Sequence, residues 1–87
     1  MGKYKVVFRK SVARDLRPIP NRDLQKILTT IESLSENPQP SGIEKLSGQD
    51  RYRIRQGSYR IIYEINDKEV LVVVVKVGHR KDVYRRS

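Results

Sequence analysis

The sequence predicts an α+β fold in the order β-α-α-β-β-β. Two N-terminal helices pack on a small, mostly antiparallel sheet, and a short basic tail closes the chain. Three observations carry this reading. Apolar and polar residues alternate from Arg51 to Ile65, the period of a half-buried strand. Leu24, Ile27, Leu28, Ile31 and Leu34 recur at spacings of three and four, which makes one apolar stripe on a helix. Val70 to Val77 is a nearly unbroken β-branched run of strand length, as expected near a sheet centre. With 87 residues, one domain spanning 1–87 is the expectation.

Taken in order, Lys3 to Phe8 alternates and is rich in β-formers, so it reads as a first strand burying Tyr4, Val6 and Phe8. Lys10 to Arg17 reads as a short helix with Ser11 as N-cap and Val12, Ala13 and Leu16 as its apolar edge, stopped by Pro18. Asn21 is the expected N-cap of a longer helix that ends near Glu36 or Asn37, before Pro38. Residues 38–42 are loop by composition, and Ile43 to Gly48 reads as a tether that touches the core through Ile43 and Leu46. Two hairpins follow. A two-residue turn at Gly57-Ser58 pairs Arg55 with Arg60, Ile54 with Ile61 and Tyr52 with Tyr63. A second turn centred on Asp67-Lys68 sets Val75 opposite Arg60.

The net charge is +9, from 19 Lys+Arg against 10 Asp+Glu. Residues 1–50 hold nine basic and six acidic groups, and residues 51–87 hold ten and four. The basic excess therefore gathers in the C-terminal strands, which favours a polyanionic partner. The chain has no cysteine, so disulfides and thiolate metal sites are excluded. No apolar run approaches the roughly 18–20 residues of a membrane span, and no secretory leader is visible, so a cytoplasmic protein without membrane contact is expected.

The alternation places Tyr52, Ile54, Tyr59, Ile61, Tyr63 and Ile65 on one sheet face and Arg51, Arg53, Arg55 and Arg60 on the other. Like charges opposite one another across strands are destabilising. Charge runs are commonly no more than a solvated face. Four arginines on two adjacent strands exceed what solubility requires, and arginine recognises phosphate through a planar fork. The antiparallel return of the last strand brings Gly78, His79 and Arg80 toward Arg60 and Arg55. Tyr84 lies one helical turn beyond Arg80. Arg53, Arg55, Arg60, Arg80 and Tyr84 are thus expected to converge at one end of one sheet face. His79, the sole histidine, makes no metal site by itself. No paired carboxylates, glycine-rich phosphate loop or Ser-His-acid context is present.

These residues carry a resemblance. Lys45-Leu46-x-Gly48, Tyr52-Arg53-Ile54-Arg55, Tyr59-Arg60-Ile61-Ile62-Tyr63 and Val77-Gly78-His79-Arg80 with Val83-Tyr84-Arg85 resemble the RelE/ParE superfamily of type II toxin–antitoxin systems over nearly the whole chain. The tyrosine–arginine strand is common to the superfamily. The C-terminal Gly-His-Arg and Val-Tyr-Arg elements are similar to the RelE branch, whose members cleave mRNA in the ribosomal A site. The ParE branch poisons DNA gyrase. The resemblance implies that Arg53 and Arg55 form a basic pair and that Arg60 steadies the scissile phosphate. It implies further that Arg80 is the basic residue after the last strand and that Tyr84 stacks on a base. Two departures stand out: arginine replaces the usual lysine in the pair, and the Arg80–Tyr84 spacing is shorter.

The implied chemistry is metal-free and needs no cofactor. The ribose 2′-OH of the substrate attacks the adjacent phosphate, leaving a 2′,3′-cyclic phosphate and a 5′-OH. Arg60 with Arg53 or Arg55 supplies positive charge to the phosphorane. Arginine is a poor general base, so that role stays open among His79, Tyr84 and a ribosomal group, and Arg80 places or protonates the leaving oxygen. The expected catalytic set is therefore Arg60, Arg80, Tyr84 and His79, with Arg51, Arg53, Arg55, Lys81 and Arg85 binding RNA phosphate. The implied partners are a cognate RelB-like antitoxin, the ribosome and mRNA, with operator DNA bound through the antitoxin.

Overall fold

The computed structural model describes residues 3–46 and 51–79. Among these, the order is β1 (Lys5–Phe8), α1 (Lys10–Leu16), α2 (Asn21–Glu36), β2 (Glu44–Lys45), β3 (Arg51–Gln56), β4 (Tyr59–Asn66) and β5 (Leu71–His79). The strands form one mixed sheet in the order β1-β5-β4-β3-β2. Only β1 and β5 run parallel; the other neighbours are antiparallel. This is the expected α+β architecture with one more strand. The tether around Glu44 supplies β2, which pairs Glu44 with Arg53 and Lys45 with Tyr52. A Glu-Lys dipeptide has no strand propensity of its own; the open edge of β3 recruits it. Ile43 and Leu46, expected to touch the core, are half-buried outside it.

Both helices lie on one side of the sheet. Val12 of α1 and Ile27, Ile31 and Leu34 of α2 pack with Ile19 against Ile61, Tyr63, Val72, Val74 and Val77. The helical stripe read from the sequence is therefore the face that is buried. The predicted caps are each displaced by one or two residues. Arg9 and Pro20 occupy the N-cap positions, without side-chain cap bonds, so Ser11 and Asn21 lie inside their helices. Both Arg9 and Pro20 are extended at that point, and the carbonyl of Pro20 accepts from the Leu24 N–H at 2.9 Å. Phe8, expected to be buried, is 46% exposed. It ends β1 one residue before the chain turns into α1, beyond the reach of the core.

The β3–β4 hairpin has the register expected, with Arg55 opposite Arg60 and Tyr52 opposite Tyr63. Gly57 at φ +60 permits the two-residue turn. The β4–β5 pairing differs from expectation. Asn66 pairs with Leu71, so the turn has four residues rather than two. Val70 in that turn sits at φ 55, a left-handed conformation that costs a β-branched residue about 1–2 kcal/mol. Val75 is then an extra residue, bulged between the Tyr63–Val74 and Ile62–Lys76 pairs. The two changes together put Gly78, not Val75, opposite Arg60. The bulge also lets Val72, Val74 and Val77 all face the core, which strict alternation forbids.

Beyond Val74, β5 has lost its β1 neighbour, and α1 covers the edge. The Val77 N–H donates to Asp15 Oδ2 at 3.2 Å, and Lys76 Nζ lies 3.8 Å from Asp15 Oδ1. Asp15→Ala is expected to cost about 1 kcal/mol, seen as a lower urea midpoint at unchanged slope. Asp15→Asn costs less, because its amide oxygen still accepts from Val77. Among the described residues, no helix is long and apolar enough to cross a membrane.

Candidate nucleic-acid interface

The sheet face opposite the helices carries the arginines. Arg60 lies on the central strand between Arg55 on β3 and Gly78 on β5. It is 1% exposed. Gly78, its partner on β5, adds no side chain beside it. Nε and Nη1 of Arg60 and Nε of Arg53 are closed off from solvent. The Arg53 side chain is 14% exposed and that of Arg55 61%. Arg53, Arg55 and Arg60 thus form a graded cluster, from enclosed to open, around one end of β3 and β4. Contact between a phosphate and Arg60 requires neighbouring groups to move aside.

Two carboxylates are built into this face, and no motif or periodicity in the sequence marks either of them. Glu44 Oε2 meets Arg53 Nη2 at 2.8 Å and Glu44 Oε1 meets Arg55 Nη2 at 3.8 Å. Glu64 Oε2 accepts from Arg51 Nε at 2.8 Å and its Oε1 lies 3.6 Å from Arg9 Nη2. Arg51 therefore belongs to a second cluster with Arg9 and Glu64, at the far end of the face. Arg9 was also missed. Its outward side followed from the alternation of β1, but nothing local linked it to Glu64. Beyond Glu64, an open groove is lined by Arg51, Glu64, Ile65, Asn66, Asp67, Lys68 and Val73.

His79 pairs with Tyr59, and the two rings meet edge to face at 5.6 Å between centroids. Tyr59 packs against the core, so this contact places His79 on the helix side of the sheet end. Of the residues singled out in the sequence, the structure brings Arg53, Arg55 and Arg60 together. It sets Arg51 apart along the face and His79 across the sheet. Arg80, Lys81, Tyr84 and Arg85 lie outside the described residues.

The tyrosines on the other face are structural. Tyr52 and Tyr63 stack at 5.8 Å, and the buried Tyr63 hydroxyl donates to the Pro38 carbonyl at 2.7 Å. Burial, with a smaller contribution from Tyr52, pushes the Tyr63 pKa up to about 12. At the N-terminal end, Tyr4 donates to Asp67 Oδ1 at 2.9 Å, and that bond holds its phenol pKa above the usual value.

The sequence and this fold have counterparts among known proteins. The sequence profile of the family described as ParE toxin of type II toxin-antitoxin system, parDE, matches residues 6–84. Toxin RelG of Mycobacterium tuberculosis is 36% identical over 87 residues, covering 95% of this chain and 98% of that protein. The chain belongs to the RelE/ParE toxin family. Solved structures of the family share the fold of this toxin. The archaeal RelE–RelB complex from Pyrococcus horikoshii OT3 superposes with a TM-score of 0.81 at 31% identity, covering 90% of this chain and 96% of that one. The toxin–antitoxin complex RelBE2 of M. tuberculosis gives 0.80 at 31% identity, covering 90% and 99%.

Proposed function

We propose that this toxin is a ribosome-dependent endoribonuclease that cuts mRNA in the A site and is neutralised by a RelB-like antitoxin. The observation that carries the reading is the buried Arg60, set between Arg55 and Gly78 with Arg53 beside it. Three guanidinium groups at one sheet end can hold a phosphodiester and offset the charge that grows on its oxygens during in-line attack. Burial lowers the local dielectric and strengthens that effect. The substrate's 2′-OH acts as nucleophile, and the 5′ oxygen leaves. Arg80 places or protonates that oxygen, and Tyr84 stacks on a base. His79 sits across the sheet from the arginines, so Tyr84 or a ribosomal group takes the 2′ proton. Arg51, Lys81 and Arg85 extend the phosphate path. The ribosome contributes orientation, which can replace several kcal/mol of catalytic machinery. The RelB chains in the two solved complexes support a partner of that kind here, and an acidic segment would neutralise the arginine face.

The test is a translation extract supplied with the purified toxin. Synthesis is expected to stop, and primer extension is expected to map cuts in the A site with 5′-OH ends and 2′,3′-cyclic phosphates. Arg80→Ala and Tyr84→Ala each abolish cleavage while leaving the melting curve unchanged. The matching family profile bears the ParE name, which favours gyrase poisoning as the second reading. Intact mRNA together with DNA breaks would establish that reading instead.

A further inference from the structure

We propose that Glu44 sets the affinity of the arginine face for RNA by occupying Arg53 and Arg55 as an internal substitute for a phosphate. The inference rests on the nuclease reading above and names how that site discriminates between free and presented RNA. Glu44 stands opposite Arg53 in the β2–β3 register, and its two oxygens divide between two guanidinium groups, at 2.8 Å and 3.8 Å. Two oxygens bridging two forks is also how a phosphate would sit there. An incoming phosphate must therefore displace a carboxylate already in place, and part of the charge attraction cancels.

The displacement is mechanically easy. β2 is a two-residue edge strand, and the Glu44 side chain is about half exposed. An exposed ion pair of this kind is weak, so the carboxylate can turn to water. The result is a face whose attraction for free RNA is reduced but whose arginines stay in position. RNA held against the toxin by a ribosome arrives at high effective concentration and tolerates that reduction. Free RNA does not. Glu44 would thus restrict the toxin to presented RNA.

The experiment measures binding of a labelled single-stranded RNA of about ten nucleotides to the full chain over a range of salt. Glu44→Gln removes the charge and retains an oxygen that can accept from Arg53, so the edge strand is kept; circular dichroism checks this. Glu32→Gln removes the same charge from the exposed side of α2. Glu44→Gln is expected to bind about 3- to 10-fold tighter near 50 mM salt, with a salt slope steeper by up to about one. Glu32→Gln shifts affinity by less than about twofold, because screening weakens a distant charge. Equal affinity and slope for Glu44→Gln and wild type would overturn the proposal, as would an equal gain in Glu32→Gln. Wild-type failure to cut mRNA on ribosomes, alongside the Glu44→Gln gain, would remove the nuclease reading and leave Glu44 as the affinity-setting group.

Discussion

Replacing Arg60 by alanine is expected to lower ribosome-dependent mRNA cleavage by about 10²- to 10³-fold, the usual loss when one preorganised transition-state contact is removed. The guanidinium is 1% exposed and sits on the central strand of the arginine face. Once neighbouring groups have moved aside to admit the phosphate, the central strand keeps the charge beside it as the reaction proceeds. The loss should fall equally on kcat and kcat/KM in single-turnover experiments on programmed ribosomes, because the contact matters most at the transition state. Arg60→Lys should recover part of the rate: it restores a charge but not the planar fork. A fold effect is separable. Alanine leaves a void where the buried side chain stood, whereas methionine fills much of it without charge. A Met variant that melts normally but does not cut isolates the charge. Undiminished cutting by a folded Arg60→Ala protein would remove the phosphate role.

The second large effect concerns stability. Tyr63→Ala should cost about 3–5 kcal/mol, the usual range for an aromatic removed from a core. That is a large part of the roughly 5–15 kcal/mol available to a domain, so the variant should be largely unfolded at 37 °C. Tyr63→Phe keeps the ring on Tyr52 and loses only the bond to the Pro38 carbonyl, at about 1 kcal/mol. The pH dependence distinguishes the two contributions. The folded pKa of Tyr63 is raised to about 12, above the unfolded value near ~10. The neutral phenol is therefore favoured by folding. Its contribution is complete below about pH 10 and is lost as pH rises toward about 12. Wild type should lose stability over that interval, and Tyr63→Phe should lose less. Parallel curves for the two proteins would count against a buried, neutral phenol.

Several features were legible without coordinates because each is written within a dozen consecutive residues. The stripe Leu24–Leu34 announces a helix by its own spacing, and three of its members are fully buried. Gly57 announces a tight turn, and once that turn has two residues the Arg55–Arg60 and Tyr52–Tyr63 pairs follow without further information. The caps were less legible. A serine or asparagine near a helix start is a general signal, whereas here the extended conformations of Arg9 and Pro20 set the boundaries. The second hairpin was misread because Val70 gives no sign of adopting a left-handed conformation. Nor does any residue in a run of valines mark which one will bulge.

The candidate site divides in the same way. Alternation alone put Arg53, Arg55 and Arg60 on one face, since side chains on a strand point to opposite sides in turn. It could not say which guanidinium would be enclosed, that Glu44 would bridge two of them, or that Glu64 would draw Arg51 toward Arg9. Nor could it show that His79 would lie against Tyr59. Periodicity is a property of one segment and survives any arrangement of its neighbours. Charge pairing and burial depend on which segments become adjacent and in what register, and here those were set by a two-residue edge strand, a four-residue turn and one bulged valine.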